Sequence, residues 1–151
     1  MSEHKVIFFE ELLTRNVKQL LTGRVNAILE EAEFSIPIIE YSPPSIPGSV
    51  TPVVAHTSCE RTEKERLIRV YAYTLTITFY VLETPESELH LYAYAGAVSR
   101  AVCDNPSLGG IADRVEITGT KYIPPKKPNC GQEWELVITL RITKEKTIYD
   151  S

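Results

Sequence analysis

Between Arg66 and Leu82 the chain alternates side-chain type with almost no interruption: Arg-Leu-Ile-Arg-Val-Tyr-Ala-Tyr-Thr-Leu-Thr-Ile-Thr-Phe-Tyr-Val-Leu. Successive side chains of a strand point to opposite faces, so this stretch predicts one long strand with two unlike sides. Leu67, Tyr71, Tyr73, Leu75, Ile77, Phe79 and Val81 fall on one side, which is suited to pack on helices. Ala72, Thr74, Thr76 and Thr78 fall on the other, a flat threonine row that is either wet or meets another subunit. A core that receives this strand needs more strands beside it and helices on one face.

The remainder of the chain supplies those elements. From Lys5 to about Ala32, apolar residues recur every three or four positions (Phe9, Leu12, Leu13, Val17, Leu20, Leu21, Val25, Ile28, Leu29, Ala32), which predicts one amphipathic helix, or two joined near Asn16 or Gly23. Residues 34–65 read as a Pro-rich arm. Pro37, Pro43, Pro44, Pro47 and Pro52 remove backbone donors, leaving short extended pieces at Ser35–Tyr41 and Pro52–Cys59 around a Ser/Pro/Gly loop. Thr84 as cap and Pro85 at the first position start a second helix that runs to about Cys103. Leu89, Tyr92, Ala93 and Gly96 mark one face of it, and Leu91, Tyr94, Ala95, Val98 and Val102 another, so burial on both sides is expected, on the sheet beneath and under either the first helix or a neighbouring subunit above. Strands at about Ala112–Ile123 and Glu133–Thr143, joined by the stiff loop Pro124–Gly131, close the chain. The expected class is α+β: a small, mainly antiparallel sheet flanked by helices, in the order α, Pro-rich arm, β, α, β, β.

At 151 residues and 43% hydrophobic content the chain fits one domain, 1–151, with its own core. Its net charge of −4 argues against wholesale binding of nucleic acid. No apolar run approaches a membrane span, and Met1-Ser2-Glu3-His4 lacks a secretory pattern, so a cytosolic site of synthesis is expected. Cys59, Cys103 and Cys130 are an odd set without a Cys-x-x-Cys pair and read as free thiols.

Catalytic signatures are missing. His4, His56 and His90 have no partner at metal-ligand spacing, and the His56 and Cys59 pair would point to opposite sides of an extended segment. Gly109-Gly110 suits a turn after a helix better than a phosphate cradle, and Glu83, Glu86 and Glu88 suit a helix start better than an acid–base pair. No enzyme activity, cofactor or metal is expected. Two charged stretches are candidates for contacts with partners: the mixed-charge run containing Arg61, Lys64 and Arg66, and Lys126 with Lys127, which could grip a phosphate or an acidic surface. A wet turn and a solvated loop tip are the plainer readings of the same residues.

The layout of N-terminal helix, Pro-rich arm, long strand, the helix bearing Leu89-His90-Leu91-Tyr92-Ala93-Tyr94-Ala95-Gly96-Ala97 and a closing hairpin resembles the tail terminator (tail completion) proteins of long-tailed bacteriophages and defective prophages. The resemblance covers most of the chain in order of elements and carries no invariant motif. It implies a non-enzymatic subunit that assembles as a homo-oligomeric ring of six on the end of the tail tube, stops its growth and presents a surface to the head–tail connector. The partners implied are the chain itself, the tail tube protein and the connector protein, with DNA passing through unbound and no membrane involved. The implied location is the host cytoplasm during assembly, then the virion tail. By position, the family's contact loops match the arm from Ser42 to Arg66, with Arg61, Lys64 and Arg66, and the loop from Pro124 to Gly131, with Lys126 and Lys127. Thr74, Thr76 and Thr78 complete the candidate assembly surface. Two other readings stay open: another head–tail joining or minor tail protein with this subunit fold, and a small ligand-binding or enzymatic α+β domain.

Overall fold

The computed structural model describes residues 8–32, 35–41, 49–127 and 132–147. The expected helix start at residues 5–7, the loop at 42–48, His4 and Cys130 lie outside the described residues. Phe9 to Glu30 forms one helical run: α1 (Phe9–Leu20), a single π-helical turn (Leu21–Val25) and α2 (Asn26–Glu30). Its fully or almost fully buried residues, Leu13, Val17, Leu21, Val25 and Leu29, are spaced by four. Four α-helical residues sweep about 400°, so such a stripe drifts by about 40° per step. The π turn takes in an extra residue per turn and rotates the stripe back toward the core. The irregularity expected near Gly23 is therefore a bulge within the helical run.

The sheet has four strands, β1 (Val53–Glu65), β2 (Ile68–Leu82), β3 (Arg114–Ile123) and β4 (Glu133–Thr147), in the order β1-β2-β4-β3 with every neighbour antiparallel. The α+β expectation is met. β2 and β4 pair without a break from Ile68 opposite Thr147 to Leu82 opposite Glu133, so the two longest strands form the centre. Tyr73, Leu75, Ile77, Phe79 and Val81 of β2, with Leu136, Ile138, Leu140 and Ile142 of β4, face the helices and are buried.

Two boundaries and the facing of one residue differ from the sequence reading. The irregular arm ends at Pro52: from Val53 onward no proline interrupts the ladder, and the mixed-charge run Glu60–Glu65 pairs with β2 as an edge strand, leaving only Arg66 and Leu67 in the turn. Leu67, expected to face the core, is consequently exposed. The second helix, α3, is Ser87–Asp104; Thr84 to Ser87 form a turn, in which Ser87 Oγ and N both donate to Thr84 O and Thr84 Oγ1 accepts from Glu86 N.

Two side-chain anchors hold the piece 35–41 over one end of the core. Asn26 accepts from Ile39 N and donates to Ile39 O, both at 2.7 Å. Tyr94 Oη donates to Pro37 O at 2.7 Å.

Candidate assembly interface

All helices lie on one side of the sheet, so the other side has no cover from the described residues. Antiparallel register places the residues of this bare face. Along β2 they are Thr74, Thr76, Thr78, Tyr80 and Leu82, and along β4 they are Arg141, Thr139, Val137, Glu135 and Glu133, each directly across from its partner. Val53, Ala55 and Ser58 of β1 continue the rows beside Thr78, Thr76 and Thr74. The threonine row is therefore the centre of a broad sheet face, flat because its side chains are small and β-branched.

The candidate contact residues do not form one cluster. Thr74, Thr76 and Thr78 occupy mid-face. Lys64 lies at a register irregularity in β1 and reaches across β2 to Glu145 of β4, with Nζ 2.6 Å from Oε1. That hydrogen bond, more than the attraction of the charge, raises the Lys64 pKa above the ordinary lysine range. Arg66 stands at the β1–β2 turn, and Arg61 pairs with Tyr71 on the helix side of the sheet, beyond the helices. Lys126 and Lys127 sit past the opposite end, where Lys127 N donates to Gln132 Oε1 at 3.1 Å. With about 3.3 Å per strand residue, the two charged groups are roughly 45 Å apart along the 15 residues of β2.

The structure adds exposed apolar groups that the sequence reading missed. On the bare face Tyr80 is 44% and Leu82 58% exposed, beside Val53 and Ile123. Reading the alternation beyond Thr78 would have placed both Tyr80 and Leu82 there. On the helix side, Leu89 (51%) and Tyr92 (56%) are exposed, so among the described residues α3 is covered on one flank and the first helical run does not cover the other, which leaves a neighbouring subunit as the expected cover. Tyr92 meets Tyr122 of β3 edge to face, with ring centroids 5.7 Å apart.

A cavity of about 350 Å³ lined by Pro37, Val50, Leu82, His90, Tyr94 and Glu133 opens beside the start of α3. Tyr71 and Tyr73 are engaged elsewhere, with Phe9, around the ammonium of Lys146. Next to that cluster the irregularity between His56 and Ser58 puts His56, opposite Leu75, and Cys59, opposite Tyr73, on the same helix-facing side and not on opposite sides as expected. His56 Nε2 donates to Glu10 O at 2.9 Å, and the exposed Cys59 has its thiol pKa raised, chiefly by desolvation and then by Glu10. Among the described residues no group of three or more His, Cys, Asp or Glu is placed to hold a metal ion, and no helix is long and apolar enough to cross a membrane. Neither a protein-family model nor a curated protein matches the chain.

Proposed function

We propose that this chain is a non-enzymatic tail terminator of a phage or prophage, which assembles as a ring of six on the tail tube, ends tube growth and offers a surface for head joining. The observation that carries the reading is the one-sided sheet. A subunit whose bare threonine face and exposed α3 flank both lack cover within the described chain has surface set aside for other subunits. Closed rings arise from repeated heterologous contacts, in which two different patches of one subunit meet on its neighbours, and this subunit presents different patches on its two sides.

Charge supports the same reading. Six chains at −4 carry roughly −24, and an acidic ring repels DNA phosphates, so a genome passes through it without sticking. The charged sites at the two ends of the sheet, Arg61, Lys64 and Arg66 at one and Lys126 and Lys127 at the other, are far enough apart to address different partners, the tail tube and the connector.

The test is electron microscopy of particles made after deletion of the gene from its parent phage or prophage. Overlong tubes that fail to join heads are expected. Tubes of normal length that fail to join heads would move the protein to another head–tail joining layer, and normal virions would overturn the proposal.

A further inference from the structure

Along β4 the bare sheet face is electrostatically self-complementary; on β3 Glu116 stands beside Arg141 but is held by Arg114 at 3.3 Å, and Ile123 stands beside Glu135. Glu135 and Arg141 lie on the same strand and the same face, six residues apart, with Val137 and Thr139 midway between them. Across from them on β2 stand Tyr80 beside Glu135, Thr78 and Thr76 at the middle, and Thr74 beside Arg141. No ion pair within the described chain engages either Glu135 or Arg141.

We propose that in solution two copies of this chain pair through this face, two-fold and with strands reversed, so that Glu135 of each copy meets Arg141 of the other. A two-fold axis over the midpoint of Thr76, Thr78, Val137 and Thr139 brings both charge pairs together at once. The same operation sets the exposed Tyr80 of each copy over Thr74 of the other and the exposed Val53 over Ala55, large side chains against small ones. The four flat central residues permit the close approach of about 10 Å at which sheets stack.

The area suffices. Four strands about 4.8 Å apart and about ten residues long at roughly 3.3 Å each present a face of roughly 600 Å². Two such faces bury roughly 1,200 Å², the lower end of the standard size for a specific interface. A charge pair of this kind at its flanks sets orientation, because the two-fold that keeps strands parallel through the same midpoint lays β4 on β2, with Glu135 over Tyr80 and Arg141 over Thr74 and neither charge met. An isologous contact closes at two copies, so a dimer through this face stores subunits in a soluble form and must part before the same face can serve the heterologous contacts of a ring. It stands whether or not the chain caps a tail.

Sedimentation equilibrium of the purified chain, with its E135R and R141E variants and the E135R/R141E double variant, tests the proposal. The wild type is expected to be dimeric, each single reversal to raise the dissociation constant by roughly 100-fold or more, and the double reversal to restore the dimer. Circular dichroism of the singles is expected to match the wild type, since both residues lie on the bare face. A wild type that stays monomeric up to about 100 μM overturns the proposal. Singles that dimerise like the wild type, or a double variant that remains monomeric, overturn it equally. Virions of normal length after gene deletion would remove the terminator role and leave these outcomes untouched.

Discussion

Tyr94 stacks on Phe79 with ring centroids 4.7 Å apart and planes 13° from parallel. Both rings are fully buried, and the hydroxyl of Tyr94 continues past Phe79 to donate to Pro37 O. One side chain thereby joins α3, the central strand β2 and the piece 35–41. Removing only that hydroxyl, in Tyr94→Phe, leaves the Pro37 carbonyl without its donor and is expected to lower stability by about 1–3 kcal/mol. Phe79→Ala removes the stacking partner and opens a cavity, with an expected loss of about 3–5 kcal/mol. Urea denaturation followed by circular dichroism ranks the two; a larger loss in Tyr94→Phe than in Phe79→Ala would show that the hydroxyl bond, not the stack, dominates.

Asn26 gives a second, independent anchor for the same segment. Its amide meets both the N–H and the C=O of Ile39, imitating a strand neighbour, and also donates to Thr22 O at 3.1 Å. Asn26→Asp keeps the acceptor but turns a carboxylate oxygen toward two carbonyls, whereas Asn26→Ala removes all three bonds. Both are expected to destabilise by about 1–3 kcal/mol and to speed amide exchange at Ile39. Unchanged exchange at Ile39 in either variant would refute the anchoring role.

How far such features can be read from sequence depends on the range of the forces that set them. The alternation of Tyr73 to Val81 is local and strong, so β2, its faces and the α+β class were legible. The stripe of Leu13 to Leu29 was legible for the same reason, although not the π turn that keeps it in line. The extended piece to Cys59 was legible, but its continuation through Glu60–Glu65 was missed because that part's strand character comes from the ladder it joins: an edge strand with charges on both faces has little pattern of its own. The flank of α3 bearing Leu89 and Tyr92 looked like a buried face because periodicity reports an apolar face and not what covers it. Glu135, Thr139 and Arg141 alternate in the sequence with Trp134, Leu136, Ile138, Leu140 and Ile142, so their common face was legible; that this face is left bare shows only once the sheet is assembled.

Alkaline pH is expected to unfold the chain through its buried phenols. Burial raises Tyr41 and Tyr94 above the ordinary tyrosine range and pushes Tyr73 up to about 12. A phenol whose folded pKa lies above its unfolded value of about 10 gives full stability below pH 10, and that share is lost as pH rises through the folded value. Thermal melting should therefore fall steeply between about pH 10 and pH 12. Tyr73→Phe should soften the fall. A melting temperature level across that interval would contradict the burial of these hydroxyls.

Lys146 fastens the start of the helical run to the far end of the sheet. Its ammonium lies 4.3 Å from the ring centroid of Phe9, 5.0 Å from that of Tyr71 and 6.0 Å from that of Tyr73, and it donates to Tyr73 Oη at 3.4 Å. Phe9 opens α1, while Lys146 is the penultimate residue of β4, so the cluster closes a long loop of chain with a single charge. Attraction between a cation and ring faces is worth about 0.5–2 kcal/mol according to desolvation. Lys146→Met keeps a long unbranched stem and deletes only the charge, so the expected loss of about 1 kcal/mol isolates the cation's part. A double-mutant cycle with Phe9→Leu should return a coupling energy of about 0.5 kcal/mol or more, and exchange at the amides of Leu12 and Leu13 should quicken in either single variant. Zero coupling would mean that Lys146 lies among the rings by packing of its stem alone and that the helix start is held by Leu13 and Val17.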